Sequence, residues 1–198
     1  MNNIRVVKEI FSRLFVIAIQ NKMNLKSFTF SLEKSLFVKK IEEDIYDDYF
    51  NNSLEKIFSD ITGYQIKKDE SFGVYNDAYW CGYSYFELFL HTRKSFSYIF
   101  LKLPLNELID LYPIYHEMDF TSLLEYFNEK EKKATILRLL CELNKISLPK
   151  LSNSIEINLS TLSKYNKNDE FLYKGSFENI IKISKYFNAP INLFINRL

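Results

Sequence analysis

The chain has 198 residues, 47% hydrophobic and 26% charged, which excludes a disordered class, and its four Gly and four Pro give little punctuation for a many-stranded sheet. The formal net charge of +1 hides an uneven spread: residues 1–133 carry 17 Lys/Arg against 20 Asp/Glu, and residues 134–198 carry 9 against 5. An acidic front joined to a basic end suits a polyanion-binding C-terminal part.

The expected fold class is all-α, with a helical N-terminal domain over 1–130 and a smaller helical domain over 134–198. In chain order, Ile4, Val7, Ile10, Phe11, Leu14, Phe15, Ala18 and Ile19 recur at three- and four-residue steps and predict one amphipathic helix over 3–20. Its apolar stretch Leu14–Ile19 is too short to span a bilayer. A second helix is predicted over about 28–40, followed by the acidic run Glu42-Glu43-Asp44-Ile45-Tyr46-Asp47-Asp48. A third carries Leu54, Ile57, Phe58 and Ile61 and ends at Gly63. Tyr64 to Asn76 reads as a loop or a short extended piece, and Asp77 to Arg93 as a long aromatic helix. Ser95 to Leu103 fits a buried strand or a helix equally well. Pro104 opens a short helix that Pro113 stops, Asp119 caps a helix over Phe120–Phe127, and Asn128–Lys133 reads as a linker or an exposed helical turn.

From Ala134 the pattern becomes more specific. Ile136, Leu139, Leu140 and Leu143 form one helix face, Asn144-Lys145-Ile146 a turn, and Ser147 a cap before Leu148-Pro149-Lys150-Leu151. A short helix ends near Ile155, and Asn158 caps another that begins Leu159-Ser160-Thr161-Leu162-Ser163-Lys164-Tyr165. Leu151, Ile155, Ile157, Leu162 and Tyr165 have the spacing that two short, steeply crossed helices need for a shared core.

Over about 134–195 the sequence resembles the lambda-repressor-like, or XRE-type, helix-turn-helix family. The match runs through TILRLLCELNKIS, LPKLSNSI, the turn EIN, LSTLSKYN as recognition helix, and SFENIIKISKYFNAPINLFI as fourth and fifth helices. Ile180, Ile183, Phe187 and Ala189-Pro190-Ile191 follow the rhythm of the family's closing helix. The resemblance implies that the recognition helix enters a DNA major groove by its N-terminal residues while the preceding helix crosses the phosphate backbone. Leu159, Ser160, Thr161, Ser163 and Lys164 are then the base-facing candidates, with Lys150, Lys167 and Lys174 as further cations for phosphate. Leu148 stands where the family often has Gln, and Glu156 where it usually has Gly, so a different turn geometry is expected at Glu156. No Arg or Asn lies in the recognition helix's first turn, which removes the strongest bidentate base contacts.

The strings AYWCGYSYFELF and SFSYIFLKLPLNELIDLYPIYHEMD resemble a helical module in proteins of Firmicutes and their mobile elements, some beside toxin genes; this raises an antitoxin reading. The acidic residues Glu42, Glu43, Asp44, Asp47 and Asp48 are either a grip for a basic partner or a solvated face. His116, Glu117 and Asp119 lack metal-ligand spacing, and are better read as a buried, hydrogen-bonded histidine and a helix cap. Cys81 and His91 lack a third partner or a glycine loop, and no P-loop, dinucleotide or nucleophile-elbow motif occurs. Cys81 and Cys141 are expected as free thiols in the cytoplasm. The sequence therefore predicts a non-enzymatic, cofactor-free regulator from a bacterium or its mobile element, binding double-stranded DNA as a homodimer without a membrane. The alternative is an antitoxin whose N-terminal part neutralises a partner toxin or enzyme, or a related inhibitor, with the helix-turn-helix regulating its own synthesis. A further alternative is that the helix-turn-helix fold of this chain is reused as a protein-protein module rather than for DNA.

Overall fold

In the computed structural model, residues 2–66 and 75–194 are described; among them are thirteen α-helices, two 3-10 turns and no strand. The protein is all-α. Its chain divides into two compact units, Met1–Leu123 and Leu124–Leu198, with the division falling inside the eighth helix.

The first unit is organised by two long helices, α1 (Asn2–Gln20) and α5 (Asn76–Thr92), which pack along each other. They approach closely because Gly82 lies over Ser12: a Cβ at 82 would stand 2.6 Å from the Ser12 Cα. Lys8 and Glu87 pair across the same contact at 2.6 Å. Around it lie α2 (Leu25–Glu33), α3 (Leu36–Glu42), α4 (Leu54–Thr62), α6 (Phe96–Lys102) and α7 (Leu105–Tyr115). The core is built of rings. Phe11, fully buried, stacks on Phe96 at 4.8 Å, meets Phe86 edge-on at 5.6 Å, and lies 5.5 Å from Phe15 and 6.1 Å from Phe37. Tyr85 is also fully buried and donates its hydroxyl to the Leu103 carbonyl at 2.8 Å, as a buried phenol requires.

Several sequence expectations are corrected here. Ile4, assigned to the core face of α1, is exposed. The single helix expected over 28–40 is two. Ser35 donates its hydroxyl to the Leu32 carbonyl at 2.6 Å and accepts from the Val38 N–H at 3.1 Å, ending α2 and opening α3. The ambiguous run Ser95–Leu103 is helical as α6, capped by Ser95. Pro113 lies inside α7 and does not stop it: the proline is exposed near the helix end, where the loss of one backbone bond costs least, and the next turn closes through His116 N–H to Tyr112 O at 3.1 Å. Gly63 ends α4 in the left-handed conformation, φ 73°, as the pattern predicts. The Tyr64–Asn76 loop falls largely outside the described residues. α8 (Phe120–Lys133) absorbs the stretch 128–133 as helix, stabilised by a Lys132–Glu129 pair at 2.7 Å and three lysines in its last turn.

The second unit is a set of short helices: α9 (Ile136–Leu143), α10 (Leu148–Ile155), α11 (Leu159–Tyr165), α12 (Asp169–Tyr173) and α13 (Phe177–Phe187), then a 3-10 turn over Ile191–Phe194. Here the expected fourth and fifth helices are corrected. The fourth is α12, a single turn capped by Asn168 and too short to show periodicity, and the fifth is α13 alone. The buried face of α9 is Ile136, Leu137, Leu140 and Cys141, with Leu143 exposed. Two apolar stripes overlap on that helix, sharing Ile136 and Leu140, and spacing alone does not choose between them. The closing core is Ile180, Ile183, Leu193 and Phe194, while Ile191 is exposed.

Candidate nucleic-acid interface

Ser147 opens α10 by accepting the Lys150 N–H at 3.4 Å, with Pro149 in the first turn, where a missing N–H is harmless. The helix buries Leu151 and Ile155. Glu156 then turns the chain with φ 54° and ψ 44°, the left-handed conformation that glycine adopts most cheaply. The expectation of a different turn geometry at this position is thus corrected: the backbone keeps the left-handed turn and a glutamate bears its strain. It is held there because Ile157, the next residue, is buried, and because Ser152 donates its hydroxyl to the Ile157 carbonyl at 2.6 Å.

Asn158 starts α11 by accepting the Ser160 N–H at 3.0 Å. Leu162 and Tyr165 are buried and fasten the helix by one face. Two further bonds hold its C-terminal end, and a third ties α12 to α9 beside it. Thr135 Oγ1 donates to the Asn166 carbonyl at 3.2 Å, the Asp169 carboxylate accepts the Ile136 N–H at 2.7 Å, and Asn179 Nδ2 donates to the Tyr165 hydroxyl at 3.2 Å. Gly175 makes room for that tyrosine, since a Cβ there would stand 2.6 Å from its hydroxyl oxygen.

What α11 leaves outside is Leu159, Ser160 and Lys164, all exposed, with Thr161 and Ser163 half-buried beside them. Lys150 and Lys167 are exposed as well, and none of Lys150, Lys164 and Lys167 forms an ion pair among the described residues. Lys174 sits apart on α12's C-cap, 3.8 Å from Glu170, and its charge is partly answered there. The Ser160 hydroxyl is not a free donor either, because it donates to Asn158 Oδ1 at 3.0 Å. That bond was invisible in the sequence, where Ser160 reads only as an outward hydroxyl.

The acidic run of the first unit is largely occupied at home. Glu42 accepts the Phe96 N–H at 2.8 Å, Asp47 pairs with Lys40 and caps the 3-10 turn Asp48–Asn51 through Tyr49 N–H, Asp48 accepts from Asn51, and Asp44 from the Tyr46 hydroxyl. Glu43 is exposed. Close to this run, burial pushes the Glu33 carboxyl up to about 7, with Lys34 opposing the rise and Glu42 adding to it.

Cys81 and His91 both lie on α5, ten residues and hence about 15 Å apart along the axis. Burial pushes the Cys81 thiol well up, with Asp77 adding, so it is a packed thiol rather than a thiolate. His116, expected buried, is exposed at the end of α7, where it stacks on Tyr112 at 4.4 Å and its Nδ1 lies 2.7 Å from the Tyr112 carbonyl. No cluster of three metal-ligating side chains occurs among the described residues, and no described helix is long and apolar enough to cross a membrane. Comparison of the chain with family models, curated proteins and solved structures finds no match.

Proposed function

We propose that the chain is a DNA-binding transcriptional regulator, with α11 lying in a major groove and α10 crossing the adjacent phosphates. The observation that carries this reading is the division of labour on α11: Leu162 and Tyr165 are buried, while Leu159, Ser160 and Lys164 are exposed on a helix held at both ends. Outward hydroxyls with lysines that have no ion pair suit a polyanion whose base edges are read at close range. A homodimer would present two such helices to half-sites about one helical turn apart. The antitoxin alternative has less support, because four of the five carboxylates proposed to grip a partner already make bonds within their own unit.

The test is a titration of the full chain against duplex DNA across a salt series. Binding should weaken steeply as salt rises, and Lys164→Ala and Lys167→Ala should each reduce the slope of log K against log salt by about 1. Affinity indifferent to salt, or untouched by both substitutions, would remove the reading.

A further inference from the structure

We infer that α11 reads A·T base pairs through the C5-methyl group of thymine, with Leu159 as the residue that selects them; this rests on the DNA-binding reading above. Leu159 is the first residue of α11, and 41% of its surface is exposed although Leu162, three residues on, is completely buried. An isobutyl group in that place has no donor or acceptor for a base edge. In the major groove, thymine alone among the four bases offers an apolar partner, its methyl group.

The polar groups around Leu159 narrow the choice further. Asn158 Oδ1 accepts both the Ser160 N–H and the Ser160 hydroxyl, at 3.0 Å each. The Ser160 oxygen is thereby left as an acceptor, matched to the exocyclic amine of adenine (N6) or of cytosine (N4) and unsuited to guanine O6 and N7, which are both acceptors; it disfavours a guanine contact, and the choice of A·T rests on Leu159. The bidentate guanine contact made by Arg has no counterpart in the first turn, which reads Leu159-Ser160-Thr161. Lys164, five residues on in the same helix, exposed and without an ion pair among the described residues, supplies positive charge that favours a polyanion over an oily protein surface as the partner of α11.

A pool of random duplexes selected on the full-length chain at low salt supplies the probe. The selected duplexes should share A·T pairs at the positions protected by α11. Replacing their thymines one at a time by deoxyuridine, which lacks only the methyl, should weaken binding about fourfold at the position under Leu159. Leu159→Ala, at an exposed site, should keep its helix content and lose that sensitivity, binding thymine and uracil duplexes alike; Leu159→Gln should shift the selected base. Selected sites with G·C at the protected positions, or equal affinity of the wild-type chain for thymine and uracil duplexes, overturn the inference and leave DNA binding standing. A selection that yields no salt-sensitive duplex at all overturns the DNA-binding reading itself, and this one with it.

Discussion

In Met1–Leu123 the core is assembled from rings hung on two helices of 19 and 17 residues; from α9 onward no helix is longer than 11, and the buried side chains are mostly aliphatic. The two regions solve helix formation differently. α5 begins at Tyr75 without a side-chain cap, since its long run of internal bonds and its buried aromatic face suffice. Each of α9 to α13 is opened by a side chain that accepts a first-turn N–H: Thr135, Ser147, Asn158, Asn168 and Ser176. A helix of five to eight residues leaves most of its N–H and carbonyl groups without internal partners, so the cap decides where it starts. The helices of nine residues or fewer in the first unit, α2, α3, α4 and α6, are capped in the same way, while at eleven residues α13 is capped by Ser176 and α7 opens at Pro104 without a side-chain bond. The lesson for function is that α11 is placed by its cap, two buried residues and the bonds at its C-terminal end, which leaves Leu159 and Lys164 exposed on its outer face.

The largest expected effect breaks the ring-built side. Phe11→Ala removes a fully buried ring in contact with four others and should cost about 3–5 kcal/mol. The chain's one tryptophan, Trp80, lies on α5 and stands 5.6 Å from Tyr112, so its fluorescence in a denaturant titration reports this unit. The fluorescence midpoint should fall sharply while amide exchange in α9–α13 stays as in the parent chain. Equal loss of protection in both regions would show that the two regions do not differ energetically.

A smaller effect sharpens the capped side. Asn168→Ala removes the acceptor that meets the Glu170 N–H at 2.8 Å and should cost about 1 kcal/mol, read as faster exchange across α12 with the Trp80 midpoint unmoved. If α12 keeps its protection, packing of Leu172 rather than the cap defines that turn.

How much of this was legible beforehand follows the same physical divide. The helical class, the long aromatic helix α5, the caps Ser147 and Asn158, and the buried set Leu151, Ile155, Ile157, Leu162 and Tyr165 were all readable, because periodicity and cap chemistry are local. The face of α9, the break at Ser35 and the persistence of α7 through Pro113 depended on tertiary contacts or on bonds between neighbouring side chains and backbone. So did the occupied state of Ser160 and of Glu42: a sequence shows a hydroxyl and a carboxylate, whereas only geometry shows that each is already bonded.

The smallest effect separates backbone strain from charge at the turn before α11. Glu156 is exposed with φ 54°, where an L side chain costs about 1–2 kcal/mol relative to ordinary helical backbone. Glycine relieves that cost but adds about 0.5–1 kcal/mol of conformational freedom to the unfolded chain. Glu156→Gly should therefore stabilise the second unit by about 0.5 kcal/mol, visible as slower exchange in α10 and α11. Glu156→Gln keeps the strained side chain and should leave stability unchanged. Both remove a carboxylate next to the Ile157-Asn158 step that leads into α11, so both should tighten duplex binding to a similar degree at low salt and converge on the parent as salt rises. A stabilising Gln would locate the cost of Glu156 in its charge; tighter binding by Gly alone would locate its influence on DNA in the backbone of the turn.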